Sequence, residues 1–324
     1  MIVDIEKFNK AIKIIGNPPF EQTLGWINFK SQENIEYLFF TDDEINPSIA
    51  CFGRLMRKKG IGKILDIAGE VLTKNISSKQ IAKYYSSIIS DSKCDMITCN
   101  STGEYNCNFE IGLRRAGFTR PFGYRTCPLT IFVDLVGERK PDRMWKRNLK
   151  KAQEYNLDFE IVDAPTIDDA TDFVRFFMEL KEMKSLSYSL NVDKVLELTQ
   201  ADGYKLFFVS KNGHRLCGRI LFIDESSHKS YDVFAANSFE SRKYSATHFM
   251  MENIFEYLKN IGINNFDFSR VPPSNNETDS VYLFKHSSGG YPVQYNGEWQ
   301  WSKNKYLPLL FCIYNFFIRR AHNY

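Results

Sequence analysis

The sequence predicts an α/β (α+β) chain made of two fused copies of one fold, with mixed, mainly antiparallel sheets. Three observations carry this. Its 324 residues are about two domains' worth of chain. The second half reads as strand, two helices, three antiparallel strands, helix, strand, helix, strand, and the first half can be drawn on the same plan. No Pro/Gly/Ser-rich linker separates the halves, so the predicted domains are 1–155 and 156–324, packed closely.

In the first half, Asn34–Thr41, Ser48–Gly53 and Ile64–Ala68 are rich in the β-branched and aromatic residues that strands favour. Ser77 or Ser78 can cap a helix through Ile89, with Ile81, Tyr84, Tyr85 and Ile88 on one face. Met96–Thr98 is a short strand, Leu113–Phe118 ends a helix at a glycine, and Tyr124–Leu135 reads as a long strand.

Seven of the thirteen residues from Arg139 to Lys151 are Lys or Arg, against one Asp. Asp142 can cap a helix here. On a helical wheel Arg143, Lys146, Arg147, Lys150 and Lys151 share one arc, and Trp145, Leu149 and Ala152 another. The helix would dock by its apolar arc and offer a cationic stripe of nearly pure sign. That suits an anion or RNA; the bland alternative is a solvated charged face.

In the second half Leu157–Val162 is a strand. Thr166–Asp169 is a capping box opening a helix to about Met183, and Asn191 caps a short helix. Strands Lys205–Ser210, Arg215–Ile223 and Ser230–Ala235 are joined by the turn-forming segments Lys211–Gly213 and Asp224–His228. Ala246–Ile261 is a helix with Phe249, Ile254, Tyr257 and Leu258 inward, and Asn265–Phe268 is the next strand. This order resembles the GNAT N-acyltransferase fold, so two GNAT-like domains are expected.

Composition excludes little. The net charge of +3 is too mild to imply nucleic acid by itself. Seven scattered cysteines form no CxxC pair, which argues against a disulfide framework or a zinc site and favours a reducing cytoplasm. The five histidines show no metal-ligand spacing, so no metal is expected. The N-terminus lacks the pattern of a signal peptide. No run reaches the roughly eighteen apolar residues of a membrane span. The apolar tail Tyr306–Ile318, followed by Arg319 and Arg320, reads either as a final core helix or as a peripheral membrane contact through residues 306–320.

The most informative stretch is 264–290. A buried strand carrying Phe266 and Phe268 leads into a polar loop, after which Phe284 and Lys285 precede Gly289-Gly290. A lysine beside open backbone at the end of such a strand suits an anion or a developing oxyanion; otherwise it is an exposed turn residue. A GNAT that binds acyl-CoA carries a glycine-rich loop before its helix. The corresponding Ser241–Thr247 keeps Arg242, Lys243 and Ala246 but lacks the glycines, which weakens an acyl-CoA reading while leaving Arg242 and Lys243 as phosphate contacts.

Three sets of residues resemble the Fem-type peptidoglycan aminoacyltransferases and their FemAB-like relatives over nearly the whole chain. They are Gln22-Thr23 with Trp26, Phe29 and Lys30; Trp145–Ala152 with Phe159–Ile161; and Phe266–Ser269 leading to Phe284-Lys285 and Gly289-Gly290. The resemblance implies transfer of an amino acid from aminoacyl-tRNA to an amine of a peptidoglycan precursor, without metal or resident cofactor. Lys285, with Phe284, would serve the transition state at the tRNA 3′ end. Lys30 beside Trp26 would hold the precursor's diphosphate, and Lys184 stands near a family arginine with the same task. Asp267 and Arg270 would line the substrate site, and Arg143, Arg147, Lys150, Lys151, Arg242 and Lys243 would meet the donor. The chain departs from the family in lacking the long helical hairpin some members insert and the Asp-Pro expected near Thr98–Asn100, which puts the peptidoglycan acceptor in question. Two other readings stand beside it. One is an acyl-CoA or acyl-carrier-protein dependent N-acyltransferase acting on an amino sugar in polysaccharide biosynthesis. The other is a non-catalytic phosphate- or lipid-binding relative. The partners expected are aminoacyl-tRNA and a nucleotide-sugar or lipid-linked precursor, at a cytoplasmic or cytoplasmic-face location. The oligomeric state is not legible.

Overall fold

The computed structural model describes all residues except 32–34, 123–125, 185–187, 272–279 and 323–324, and no side chain of 280, 315 or 317–322. It divides into two compact units, residues 1–129 with 294–324, and residues 130–293.

In chain order the first unit begins with β1 (Ile2–Val3), α1 (Ile5–Ile15), α2 (Leu24–Lys30), β2 (Glu36–Thr41), β3 (Ile49–Lys58), β4 (Gly62–Ala68), β5 (Val71–Leu72), α3 (Ser78–Ser92), β6 (Met96–Glu104) and α4 (Cys107–Arg115). There follow β7 (Leu129–Asp134), α5 (Arg143–Gln153), β8 (Leu157–Val162), α6 (Ile167–Lys184), α7 (Val192–Thr199), β9 (Tyr204–Lys211), β10 (His214–Asp224), β11 (Lys229–Asn237), α8 (Ala246–Asn260), β12 (Asn265–Arg270) and α9 (Ser280–Ser287). β13 (Tyr291–Ser302) and α10 (Leu307–His322) close the chain.

The local signals act as expected. Ser77 and Gln80 form a reciprocal capping box on α3, which buries Ile81, Tyr84, Tyr85 and Ile88. Asp142 caps α5 by accepting from the Trp145 amide at 2.8 Å. Asn212 and Gly213, both at positive φ, make the tight turn between β9 and β10. Other expectations are corrected. β6 runs on to Glu104 because β13 continues to pair with it as far as Tyr295, opposite Glu104. The long strand predicted over 124–135 is β7 alone, starting after Pro128; Tyr124 lies outside the described residues. In α8 the inward face holds Met250, Met251 and Phe255 with Ile254 and Leu258, while Phe249 and Tyr257 are half-buried.

The two sheets share one plan. In the first, β1-β2-β3-β4-β6-β13 are neighbours in that order, β4 and β6 run parallel and the other pairs antiparallel. In the second the order is β8-β9-β10-β11-β12-β7, with β11 and β12 parallel. The expected repeat is therefore present, but its halves are not the predicted 1–155 and 156–324. The last strand of each half completes the other half's sheet: β7 lies in the second unit and β13 in the first. Sequence order cannot reveal this, because strand pairing at such separation is decided by which edge is open, not by local propensity.

In the second unit one core joins α5, α8 and α9 to the sheet through Trp145, Ile254, Phe255, Phe266 and Phe268. In the first, α3 and α4 cover one face of the sheet, with Tyr84, Tyr85, Phe109 and Trp299 buried, and α1 covers the other with Phe8 and Ile12.

Candidate active site

The structure places Lys285 on a helix, not on an exposed turn. α9 brings the half-buried Lys285 ammonium onto the Phe268 carbonyl at 2.5 Å. One of three N–H donors is thereby used, and the other two have no acceptor among the described residues. Burial holds the Lys285 pKa below the ordinary lysine value. Asp232 and Asp267 oppose that shift, and Arg219 adds to it.

The strand end that receives Lys285 is irregular for a definable reason. β12 carries one extra residue between Asp267, opposite Phe132, and Arg270, opposite Thr130. Ser269 takes up the extra length in the left-handed region at φ +59°, which costs a non-glycine residue about 1 kcal/mol or more. Its amide donates to Asp267 Oδ1 at 2.8 Å and its hydroxyl to the Asp232 carbonyl at 2.6 Å. The Thr130 hydroxyl lies 2.6 Å from Asp267 Oδ1 and 2.9 Å from the Ser269 carbonyl. Bulges of this kind re-aim backbone groups next to sites. Behind it, Arg219 Nε donates to Asp232 Oδ1 at 3.0 Å, both side chains being buried.

Asp267 is thus corrected from a substrate contact to a positioning group: it is fully buried and orders the bulge. Thr130, Ser269, Asp232 and Arg219 were missed. A buried Asp and Arg inside apolar strands was the signal that could have found them, because charges persist in a core only when paired. Arg270 is half-buried at the end of β12.

Phe284 also changes role. Its ring packs on Trp145 and His248, each with centroids 5.1 Å apart, and reaches Phe268 at 6.4 Å. It anchors α9 to α5 and α8. The glycine pair after α9 is explained by space. A Cβ on Gly290 would sit 2.4 Å from Ile131 Cγ2 and 2.8 Å from the Phe132 carbonyl, and Gly289, at φ +92°, lies as close to Pro141 backbone. The pair lets the chain leave α9 against β7.

Under Phe284 sits a neutral histidine. Burial pushes the His248 pKa down to about 4 against the pull of Asp142 and Glu252. The ring nitrogen Nε2 lies 3.2 Å from the Asn148 amide nitrogen. The folded pKa is below the unfolded value, so the unfolded chain binds the proton first. Stability should fall as pH drops from about 6.5 towards 4, by about 2–3 kcal/mol in all, with no effect above that window. Denaturant midpoints of wild type and His248→Gln across pH 4–7 check this. Parallel curves would show that His248 does not titrate with folding.

The basic stripe is present as expected. Trp145 is fully buried and donates its indole N–H to Glu252, while Arg143, Lys146, Arg147, Lys150 and Lys151 are exposed. None of the five has an acidic partner among the described residues. The end of α5 also meets the turn that carries Arg242 and Lys243, both exposed: Tyr155 packs edge-on against Tyr244 at 5.0 Å. Lys211 Nζ lies 4.1 Å and 4.9 Å from the same two rings, and Lys243 Nζ 5.3 Å from Tyr244. Two of the predicted donor patches are therefore one surface, with Lys211 as a further member. Ahead of α8 the chain makes a 3-10 turn and then places Ser245 at φ +52°, where a glycine loop would otherwise stand. Lys184 ends α6 and is exposed.

The first unit carries a second cationic place. Trp26 packs on Phe20 and Phe29, and Lys30 Nζ lies 4.9 Å from the Trp26 ring. Desolvation of the ammonium and the nearby charge of Arg54 lower the Lys30 pKa. Arg54 was not anticipated. It begins a cross-strand row Arg54–Asp66–Thr98–Gln300 over β3, β4, β6 and β13, with Arg54 Nη2 3.5 Å from Asp66 Oδ2 and the Thr98 hydroxyl bonded to Asp66 Oδ1 at 2.5 Å.

No protein-family model matches this sequence, and neither does any curated protein. Solved structures do match. The crystal structure of FemX superposes with a TM-score of 0.75 at 13% identity, covering 96% of this chain and 99% of that one. The structure of L-PGS from Bacillus licheniformis follows at 0.66 and 13%, covering 98% and 97%. A tandem GNAT protein from the clavulanic acid biosynthesis pathway gives 0.54 and 9%, covering 94% and 98%. The chain has a Fem-like tandem GNAT fold. Its two units each carry a mixed, mainly antiparallel sheet, as the sequence predicted, with one parallel pair in each.

Proposed function

We propose that the protein is an aminoacyltransferase that moves an aminoacyl group from aminoacyl-tRNA to an amine of a cell-wall precursor. The observation that carries the reading is Lys285, an ammonium seated at a bulged strand end with two donors unused among the described residues. Further support comes from the fold shared with FemX over nearly the whole chain and from the unneutralised stripe on α5.

The chemistry asks mainly for alignment and charge. The acceptor nitrogen attacks the ester carbonyl and a C–N bond forms. Lys285 donates to the tetrahedral oxyanion. The C–O bond to the tRNA ribose then breaks, and the amine's proton passes to the leaving oxygen. Lys30 and Arg54 would hold acceptor phosphates. The stripe with Arg242, Lys243 and Lys211 would take the tRNA backbone. No resident cofactor is needed, and the cytoplasm supplies both substrates.

The test is label transfer to an amine acceptor from charged tRNA, run beside acyl-CoA. Transfer from tRNA is expected, falling as salt rises. The triple variant Arg147→Glu, Lys150→Glu, Lys151→Glu should lower the tRNA-dependent rate about tenfold or more and flatten its salt dependence. Transfer from acyl-CoA alone would overturn the donor assignment.

A further inference from the structure

α10 is apolar from Leu307 to Ile313, and one of its faces packs on its own unit. Leu307, Phe311 and Tyr314 pack against Met56, Ile61, Ile64 and Met96 of β3, β4, β6 and their turn. Opposite it, Leu309, Leu310 and Ile313 are 45–49% exposed, and Tyr306, just before the helix, is 61% exposed. The spacing of these residues puts them on one stripe of the helix. An apolar stripe of this size in water is a surface awaiting an apolar partner. The tail is a helix packed on its own unit that leaves a second apolar stripe exposed.

The charges around the stripe say what covers it. From Trp299 to Tyr324 there is no Asp or Glu, but there are Lys303, Lys305, Arg319 and Arg320. The neighbouring β3–β4 turn, Arg54 to Leu65, likewise has no acid and five Lys or Arg. Lys58 of that turn touches α10, its Nζ 3.3 Å from the Tyr314 hydroxyl, and Lys59, Lys303 and Lys305 are exposed. Asp95, the nearby acid, is turned inward to the Lys63 amide at 2.8 Å. No described helix is long and apolar enough to cross a membrane.

The geometry points to an interfacial membrane-docking face: α10 lies flat on an anionic phospholipid surface, its outer stripe in the acyl boundary and the surrounding lysines at the headgroup phosphates. A neutral protein groove would not need the basic rim, and a second copy would set like charges against each other. The inference does not rest on the transferase reading and is measured without substrate.

The test is vesicle flotation of the full chain with phosphatidylcholine alone and with phosphatidylglycerol added. Flotation should be about tenfold stronger with the anionic lipid and should weaken in high salt. Leu309→Glu with Ile313→Glu should abolish it, and Lys303→Glu with Lys305→Glu should reduce it about tenfold. All four positions point outward, so circular dichroism should be unchanged. Equal flotation of wild type and variants would overturn the inference. So would a dimer in solution, lost in Leu309→Glu with Ile313→Glu, without vesicle binding.

Discussion

Replacing Lys285 by alanine should slow acyl transfer by about 10²-fold or more, the usual cost of removing one donor from an oxyanion site. The fold should survive, because the substitution removes a desolvated charge and leaves Phe284, the anchor of α9, in place. The pH profile separates this role from a merely structural one. Burial lowers the Lys285 pKa, so as pH rises the catalytic ammonium is lost earlier than an ordinary lysine would lose it. The rate should fall on an alkaline limb placed below about pH 10.5. Lys285→Arg, which stays charged, should lack that limb whatever its absolute rate. An unchanged rate in Lys285→Ala, or the same alkaline limb in Lys285→Arg, would remove the residue from the chemistry.

Asp232→Ala should destabilise the protein by about 3–5 kcal/mol, because it leaves the Arg219 guanidinium buried without its carboxylate. The same change should shift the alkaline limb of transfer to lower pH, since Asp232 supports the Lys285 charge and Arg219 opposes it. Denaturant midpoints and the pH–rate profile report the two effects separately. Replacing both partners by apolar residues, Arg219→Met with Asp232→Leu, should cost less than either single change. A double variant as unstable as the sum of the singles would show that the pair is not coupled.

Much of the fold was legible because its determinants are local. The capping residues Ser77, Asp142, Thr166 and Asn191 stand next to the helices they start, and Asn212-Gly213 carries its own turn conformation. The basic stripe was legible for the same reason: Trp145 and the cations are separated by helical spacing alone. Of the candidate site, Lys285 could be singled out from its place after the strand, but Phe284 was read as a ligand contact although it packs on Trp145 and His248, more than thirty residues away in the chain. Arg54 escaped notice because nothing in its own neighbourhood marks it; it matters through α2 and through Asp66 across the sheet.

The sequence by itself determined the elements, their order, the repeat of one plan and the cationic positions, since each follows from residues within a few turns of one another. The tertiary structure alone decided that β7 and β13 exchange sheets, that Ser269 bulges to present the Phe268 carbonyl, that Asp267 is buried behind it, and that α10 keeps one apolar face open. Those outcomes depend on which strand edge, cavity or surface remains unfilled once everything else has packed, and that is a property of the whole chain.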